Sequence, residues 1–355
     1  GRTLLADPDW PIKVATGHEA DVRRCIACNQ GCISRLFAQE DVWCTVNPEA
    51  GFEQQFENLH GGAGRKLLIV GGGPAGMAAA RWGALAGFNV VLHEARPALG
   101  GQLRAAAAAP HREDWRTLHD YFVREIDRLG VEVHVNSVID AEDIQGEQPW
   151  AVIIATGATP VRAHTAELHG MRMVTGRRVL EQDEPFHGRV VVAGGGCAGA
   201  QAAEYLAERG HGVTVLEAGH DIALDAPVDE RALLLARLER RGVQILRDAR
   251  LAGFEPHSVI VQLAHEMRTV PADMVVLCLG ARPVNELAAV LTGTFVVEIV
   301  FAIPGLGDTF VTSVTTRDYN LLVGVTILYS LFLVGANILV DILYIWLDPR
   351  IKLQG

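Results

Sequence analysis

Two stretches of the chain share one order of apolar and polar positions. KLLIV, starting at Lys66, is an unbroken apolar run that leads into a glycine turn, an alanine-rich segment and a second apolar run closing on Glu94. RVVVA, starting at Arg189, opens the same order and closes on Glu217. Unbroken apolar runs of this length suit strands covered on both faces. Two further runs, VIIATGATP around Ile153 and MVVLCLGARP from Met274 to Pro283, read as strands that bring the chain back into a sheet. Apolar spacing predicts an amphipathic helix at about Glu113–Leu129, and the Ala105–Ala109 run before Pro110 reads as the loop leading into it. Strands alternating with helices place the chain in the α/β class.

The pattern breaks near the end. Residues 292–355 carry 3 basic and 5 acidic residues, against 28 and 37 in residues 1–291. Leu321 to Val340 is a twenty-residue run without a charge, matching the roughly 20 residues that cross a hydrocarbon core. A transmembrane helix at about 321–346 is therefore expected. GRTLLADPDWPIK lacks the apolar core of a signal peptide, so the preceding part is expected to be soluble and cytoplasmic, with the tail in the cytoplasmic (inner) membrane. The 355 residues suffice for two domains, and 31 Lys+Arg against 42 Asp+Glu, a net charge of −11, exclude a nucleic-acid partner held by counterion release.

Four of the six cysteines, Cys25, Cys28, Cys32 and Cys44, stand in a C-x2-C-x3-C-x11-C pattern, while Cys197 and Cys278 stand alone. Three thiolates on a tight loop, with Gly31 allowing a sharp turn and a fourth arriving after a short helix-like stretch, can enclose a cubane cluster. A structural zinc site more usually shows two separated C-x2-C knuckles. Iron–sulfur is favoured over zinc, and the four cysteines are the candidate metal ligands. Cys197 reads as a small packing residue rather than a redox thiol.

The glycine turns carry the second chemistry. Gly71, Gly73, Ala75 and Gly76 lie between strand and helix, with Glu94 18 residues after the last glycine. Gly194, Gly196, Gly199 and Glu217 repeat the unit 123 residues further on. Such glycines let the backbone approach a pyrophosphate at a helix N-terminus, and the acid accepts hydrogen bonds from a ribose. Two units imply two dinucleotides. Glu217 favours a free 2′-hydroxyl over a 2′-phosphate, hence NAD(H) over NADP(H). GGQL, with Gly101 and Gln102, and the ATG of Thr156 and Gly157 complete the candidate cofactor contacts.

CIACNQGC with its fourth Cys, GGGPAGMAAA, the Glu94 strand, GGQL, ATGATP, the second glycine turn and LGARPVNEL occur in an order that resembles the C-terminal half of the 2,4-dienoyl-CoA reductase and trimethylamine dehydrogenase family. The resemblance implies two glutathione-reductase-like domains behind a cluster loop, with electrons passing from NAD(P)H through FAD and a 4Fe-4S cluster to FMN. By that resemblance the four cysteines match the cluster ligands. Gly71, Gly73, Gly76, Glu94, Gln102 and Thr156 match the FAD side; Gly194, Gly196, Gly199 and Glu217 match the nicotinamide side. It divides the chain into a barrel-exit segment and cluster loop (1–60), a first FAD-binding part (61–185), a NAD(P)H-binding domain (186–275), a short return into the FAD domain (276–291) and the membrane tail (292–355). Family members begin with a barrel that holds FMN and substrate. Only its exit segment is matched here, and the last FAD-domain strand finds no match after Leu291. FMN is expected only in an intact family member. No catalytic side chain is assigned, since hydride transfer to a flavin needs no acid–base residue.

The tail resembles the end of dipeptide/oligopeptide ABC-transporter permeases, through Glu298, Ile303-Pro304-Gly305-Leu306-Gly307, Arg317-Asp318-Tyr319, Asn337, Asp341 and Leu347-Asp348-Pro349-Arg350. That implies membrane association and transporter helices or an ATPase as partners. Three readings follow: an oxidoreductase electron-transfer module acting in enoyl-CoA reduction or amine dehydrogenation, a membrane protein whose tail joins a transporter, or a chimera of two genes joined near Leu291–Thr292.

Overall fold

The computed structural model describes residues 1–287 except 57–59, 162–170, 182–187 and 265. Residues 1–284 form one compact unit. Four short helices open it: α1 (Arg2–Ala6), α2 (Trp10–Ala15), α3 (Ile33–Phe37) and α4 (Glu53–Phe56). The cysteine loop lies between α2 and α3, and Cys44 follows α3.

The first sheet is built from β1 (Lys66–Val70), β2 (Asn89–Glu94), β3 (Glu132–Val135) and β4 (Ala151–Ile154). Its order is β3-β2-β1-β4, parallel throughout. Leu67 to Val70 are all buried, as a strand covered on both faces requires. The crossovers carry α5 (Pro74–Leu85), α6 (Gln102–Ala108), α7 (Glu113–Arg128) and α8 (Ala141–Glu147). Pro74 at the first position of α5 gives up only an N–H that the helix leaves unpaired anyway. On α7, Leu118, Tyr121, Phe122 and Ile126 face the core together with the Glu125 carboxylate, which takes Arg81 at 2.9 Å and Arg128 at 2.8 Å. Burial alone would push the Glu125 carboxyl up, but these two hydrogen bonds hold it below the ordinary carboxylate range.

After β4 comes β5 (Ala158–Pro160), and then the second lobe: β6 (Arg172–Thr175), α9 (Gly176–Glu181), β7 (Arg189–Ala193), α10 (Cys197–Glu208), β8 (Gly212–Leu216), α11 (Val228–Arg240) and β9 (Gln244–Leu246). An antiparallel meander follows, of β10 (Ala249–Glu255), β11 (Ser258–Leu263) and β12 (Glu266–Pro271), before β13 (Met274–Leu277) enters the parallel sheet β6-β13-β7-β8-β9. The last strand, β14 (Ala281–Pro283), pairs antiparallel with β5. ATGATP and LGARP therefore meet each other, with the Thr156 hydroxyl donating to the Val284 carbonyl at 2.8 Å. The architecture is mixed α/β.

The structure departs from the sequence reading at Ala105–Ala109, where α6 takes the place of the expected loop. Alanine has the highest helix propensity, and Leu103 and Ala105 gain burial by coiling. The amphipathic helix forms as α7, within a residue of its expected bounds. Among the described residues no helix is long and apolar enough to cross a membrane. The expected span at 321–346, like the whole permease-like tail, lies outside them.

Candidate functional site

In the first glycine turn, Gly71 has φ +107°, and a Cβ there would stand 2.3 Å from the Ala155 carbonyl oxygen. A Cβ on Gly76 would meet the Gly71 carbonyl oxygen at 1.8 Å, so strand and helix are locked at backbone distance. The Gly72 N–H donates to Glu94 Oε2 at 2.6 Å, and the Arg96 N–H donates to Glu94 Oε1 at 2.8 Å. Glu94 is buried at the end of β2 and held in place by the turn itself. Over Gly73 there is room, since a methyl group there would find its nearest neighbour, the Gly101 Cα, at 4.0 Å. Gly101 belongs to the GGQL turn, which folds back so that the Gly100 N–H donates to the Gly72 carbonyl at 2.8 Å. Gln102 opens α6, Ala75 lies in the first turn of α5, and Gly157, with φ +74°, precedes β5.

The second turn repeats this geometry closely. A Cβ on Gly194 would lie 2.2 Å from the Cys278 carbonyl oxygen, and one on Gly199 would lie 1.9 Å from the Gly194 carbonyl oxygen. The N–H groups of Gly195 and Gly219 both donate to Glu217 at 2.7 Å. One element differs, and nothing in the motif announces it. Asp225, on the loop between β8 and α11, accepts the Cys197 N–H at 2.7 Å at the start of α10.

The second turn opens on a cleft with about 1100 Å³ of open space. Gln102 and Ala106 line it from the first lobe, Gly196, Gly199 and Cys278 from the second, and Ala158 and Ala281 from the β5–β14 pair. Gln102 and Ala106 also line a second cleft, whose other walls include Ile26, Thr45 and Val46 of the cysteine segment and Pro74 and Ala78 of α5. Helix α6 thus stands between the cleft at the second turn and the cleft where α5 meets the cysteine segment.

All four clustered cysteines line one small pocket with Leu5, Ile26, Thr45 and Val46. Ala27 and Asn29 adopt left-handed φ of 52° and 56°, and these residues, rather than Gly31, make the loop turn back on itself. Gly31 is needed for a different reason: a Cβ there would stand 2.5 Å from the Trp43 ring. Trp43 donates its backbone N–H to the Gly31 carbonyl at 2.8 Å, which brings Cys44 back to the loop. The Ala27 N–H points to Cys25 Sγ at 3.4 Å, and the Cys28 thiol donates to Thr45 Oγ1 at 3.2 Å. Burial raises the Cys44 thiol above its ordinary value; hydrogen bonds from Val46 and Asn47 oppose this, while Cys28 and Cys25 add to it. Two side-chain oxygens of this segment, Asn29 Oδ1 and Ser34 Oγ, are buried without a partner.

Residues 65–297 match the pyridine nucleotide-disulphide oxidoreductase family, and the chain belongs to it. It is 37% identical over 303 residues to an NADH oxidase of Thermoanaerobacter brockii, covering 82% of this chain and 46% of that protein. It superposes on a solved 2-naphthoyl-CoA reductase with a TM-score of 0.75 at 30% identity, covering 81% of this chain and 44% of that one. The chain thus spans less than half the length of either relative. Residues 282–353 match the binding-protein-dependent transport system inner membrane component. There is 41% identity over 127 residues to the dipeptide transport system permease protein of Bacillus subtilis, covering 34% of this chain and 39% of that protein. The oxidoreductase part is a flavin and NAD(P)H module, and its family implies FAD and a nicotinamide nucleotide as cofactors.

The residues fit those nucleotides: the space over Gly73, the tight glycine packing beneath it and a buried acid at the strand end are what a dinucleotide turn needs. Both turns and the cysteine set were legible from sequence. Asp225 and the role of α6 were not, because spacing along the chain does not signal them.

Proposed function

We propose that this chain is the electron-transfer part of a flavin and iron–sulfur oxidoreductase, oxidising NADH in preference to NADPH and delivering single electrons to a 4Fe-4S cluster held by Cys25, Cys28, Cys32 and Cys44. Bound FAD supplies the conversion between a two-electron donor and a one-electron acceptor. The first turn, with Gly71, Gly73, Ala75 and Gly76, holds its pyrophosphate. Glu94, already fixed by two backbone N–H groups, offers its remaining lone pairs to a ribose. The second turn does the same for the nicotinamide nucleotide through Glu217. Gly101, Gln102, Thr156 and Gly157 complete the cofactor contacts, with Gln102 lining the cleft at the second turn.

One observation carries the reading: Gln102 and Ala106 of α6 line both the cleft at the second glycine turn and the cleft that Pro74 and Ala78 of α5 share with the cysteine segment. For the cluster, the C-x2-C-x3-C-x11-C spacing supports iron–sulfur over a structural zinc, which more usually shows two separated C-x2-C knuckles. Anaerobic reconstitution tests this. The proposal expects about four iron and four sulfide per chain, lost in Cys28→Ser; one zinc and no sulfide would refute it.

In an intact protein of the family that the sequence resembles, the acceptor beyond the cluster would be FMN, at a site reducing an enoyl-CoA or oxidising an amine. The oxidoreductase part would act in the cytoplasm. The permease similarity supports a second reading, in which pieces of two unrelated proteins are joined near Leu291–Thr292 and the tail, if expressed with the rest, enters the inner membrane beside transporter helices. The two family matches overlap only over residues 282–297. Amplifying single molecules of source DNA across the codons for Arg282 to Gly305 decides it. A continuous product upholds a fused chain, and products that diverge into two separate genes uphold the chimera.

A further inference from the structure

We propose that Asp225 sets the affinity of the second glycine turn for its nicotinamide nucleotide by holding the anion position at the start of α10 until the pyrophosphate displaces it; this rests on the nucleotide reading above. Helix α10 is 12 residues long, and its first turn presents unpaired N–H groups and the positive end of the helix dipole to any nearby anion. The anion found there is the chain's own. Asp225 Oδ1 accepts the Cys197 N–H at 2.7 Å. The three atoms nearest a Cβ on Gly196 are all from the Asp225 carboxyl group, at 3.5 to 3.9 Å. The space that a bare glycine leaves for a phosphate is therefore flanked by a carboxylate.

The first turn shows that the motif does not require this. There the equivalent neighbour of Gly73 is the uncharged backbone of Gly101, at 4.0 Å. Two turns with the same glycine spacing thus differ by one negative charge, and the charged one belongs to the nucleotide that must come and go. The loop is built to let the carboxylate leave. Ala223, with φ +52°, ties it to the turn by donating its N–H to the Gly195 carbonyl at 2.7 Å, while Asp225 two residues on is exposed. Reduced and oxidised nucleotides carry the same pyrophosphate, so the competition weakens both and favours release of the spent one.

The test is equilibrium binding of NADH to the full FAD-loaded chain, followed by nucleotide fluorescence, in the wild type, Asp225→Ala and Asp225→Asn. Asp225→Ala should tighten binding about two- to fivefold, the range of a single charge at a helix terminus. Asp225→Asn should tighten it less, because the amide oxygen can still accept from Cys197. Both gains should shrink as salt rises. Reduced nicotinamide riboside, which has no phosphate, should bind all three proteins alike. Unchanged or weaker NADH binding in both variants, beside a wild type that binds, overturns this proposal and leaves the nucleotide reading standing. If none of the three binds NADH, both fall together.

Discussion

Asn29 donates its side-chain amide to the Asp229 carboxylate at 2.5 Å, across 200 residues of chain. Asn29 stands in left-handed conformation between Cys28 and Cys32, and Asp229 in the first turn of α11. The bond fastens the cysteine loop to the nucleotide lobe. Asparagine suits the position twice over, since it tolerates positive φ and carries the donor. Asn29→Gly keeps the conformation and loses the bond, while Asn29→Ala loses both. The alanine variant should be less stable than the glycine variant by about 1 kcal/mol, measured by denaturant unfolding. Equal stabilities would show that the left-handed turn is not retained.

Glycines of one motif should respond in opposite ways to the same methyl group. Gly76→Ala and Gly199→Ala put a Cβ against backbone oxygen at 1.8 and 1.9 Å, and should cost on the order of 3 kcal/mol or more. Gly73→Ala meets nothing closer than 4.0 Å and should change stability by less than about 0.5 kcal/mol. It should nevertheless weaken FAD binding, because the methyl occupies the space left for the pyrophosphate. Thermal midpoints together with flavin content after purification separate the two effects.

The unclustered thiols should be inert. Burial pushes Cys278 up to about 12, only partly opposed by a hydrogen bond from Gly176, and pushes Cys197 up to about 11, with Arg112 opposing. Near pH 8 neither should be alkylated by iodoacetamide in the folded protein, and both should react in denaturant. In the unfolded chain these thiols ionise near pH 8.5, while the folded chain keeps their protons, so the unfolded state binds fewer protons and stability falls as pH rises from about 9 to about 12. Cys278→Ala should make that fall shallower. Rapid alkylation of native Cys278 would contradict its burial.

What the sequence made legible was local. Both glycine turns could be read because close packing of strand on helix admits no side chain at Gly76 or Gly199, and the acids close the strands at a fixed distance. The cysteine set was legible from its spacing. Long-range features were not. Asp225 reaches the turn from a loop with no pattern of its own, and Asn29 meets a residue two hundred positions away. Helix α6 was hidden by the Pro110 that follows it. The role of Gly31 depends on where Trp43 packs, which spacing within the loop does not reveal. Tertiary contact decided all of these except α6, where alanine's helix propensity acts together with the burial of Leu103 and Ala105.

The proposed electron path joins a nicotinamide nucleotide, a flavin and a cluster within one chain. Anaerobic titration of the reconstituted chain with NADH, following flavin and cluster absorbance together, tests it. The flavin should bleach and the cluster signal should decline with it in the wild type, and Cys28→Ser should show the flavin change alone. A flavin that stays oxidised at excess NADH, or a reduced flavin beside an unchanged cluster, would contradict it.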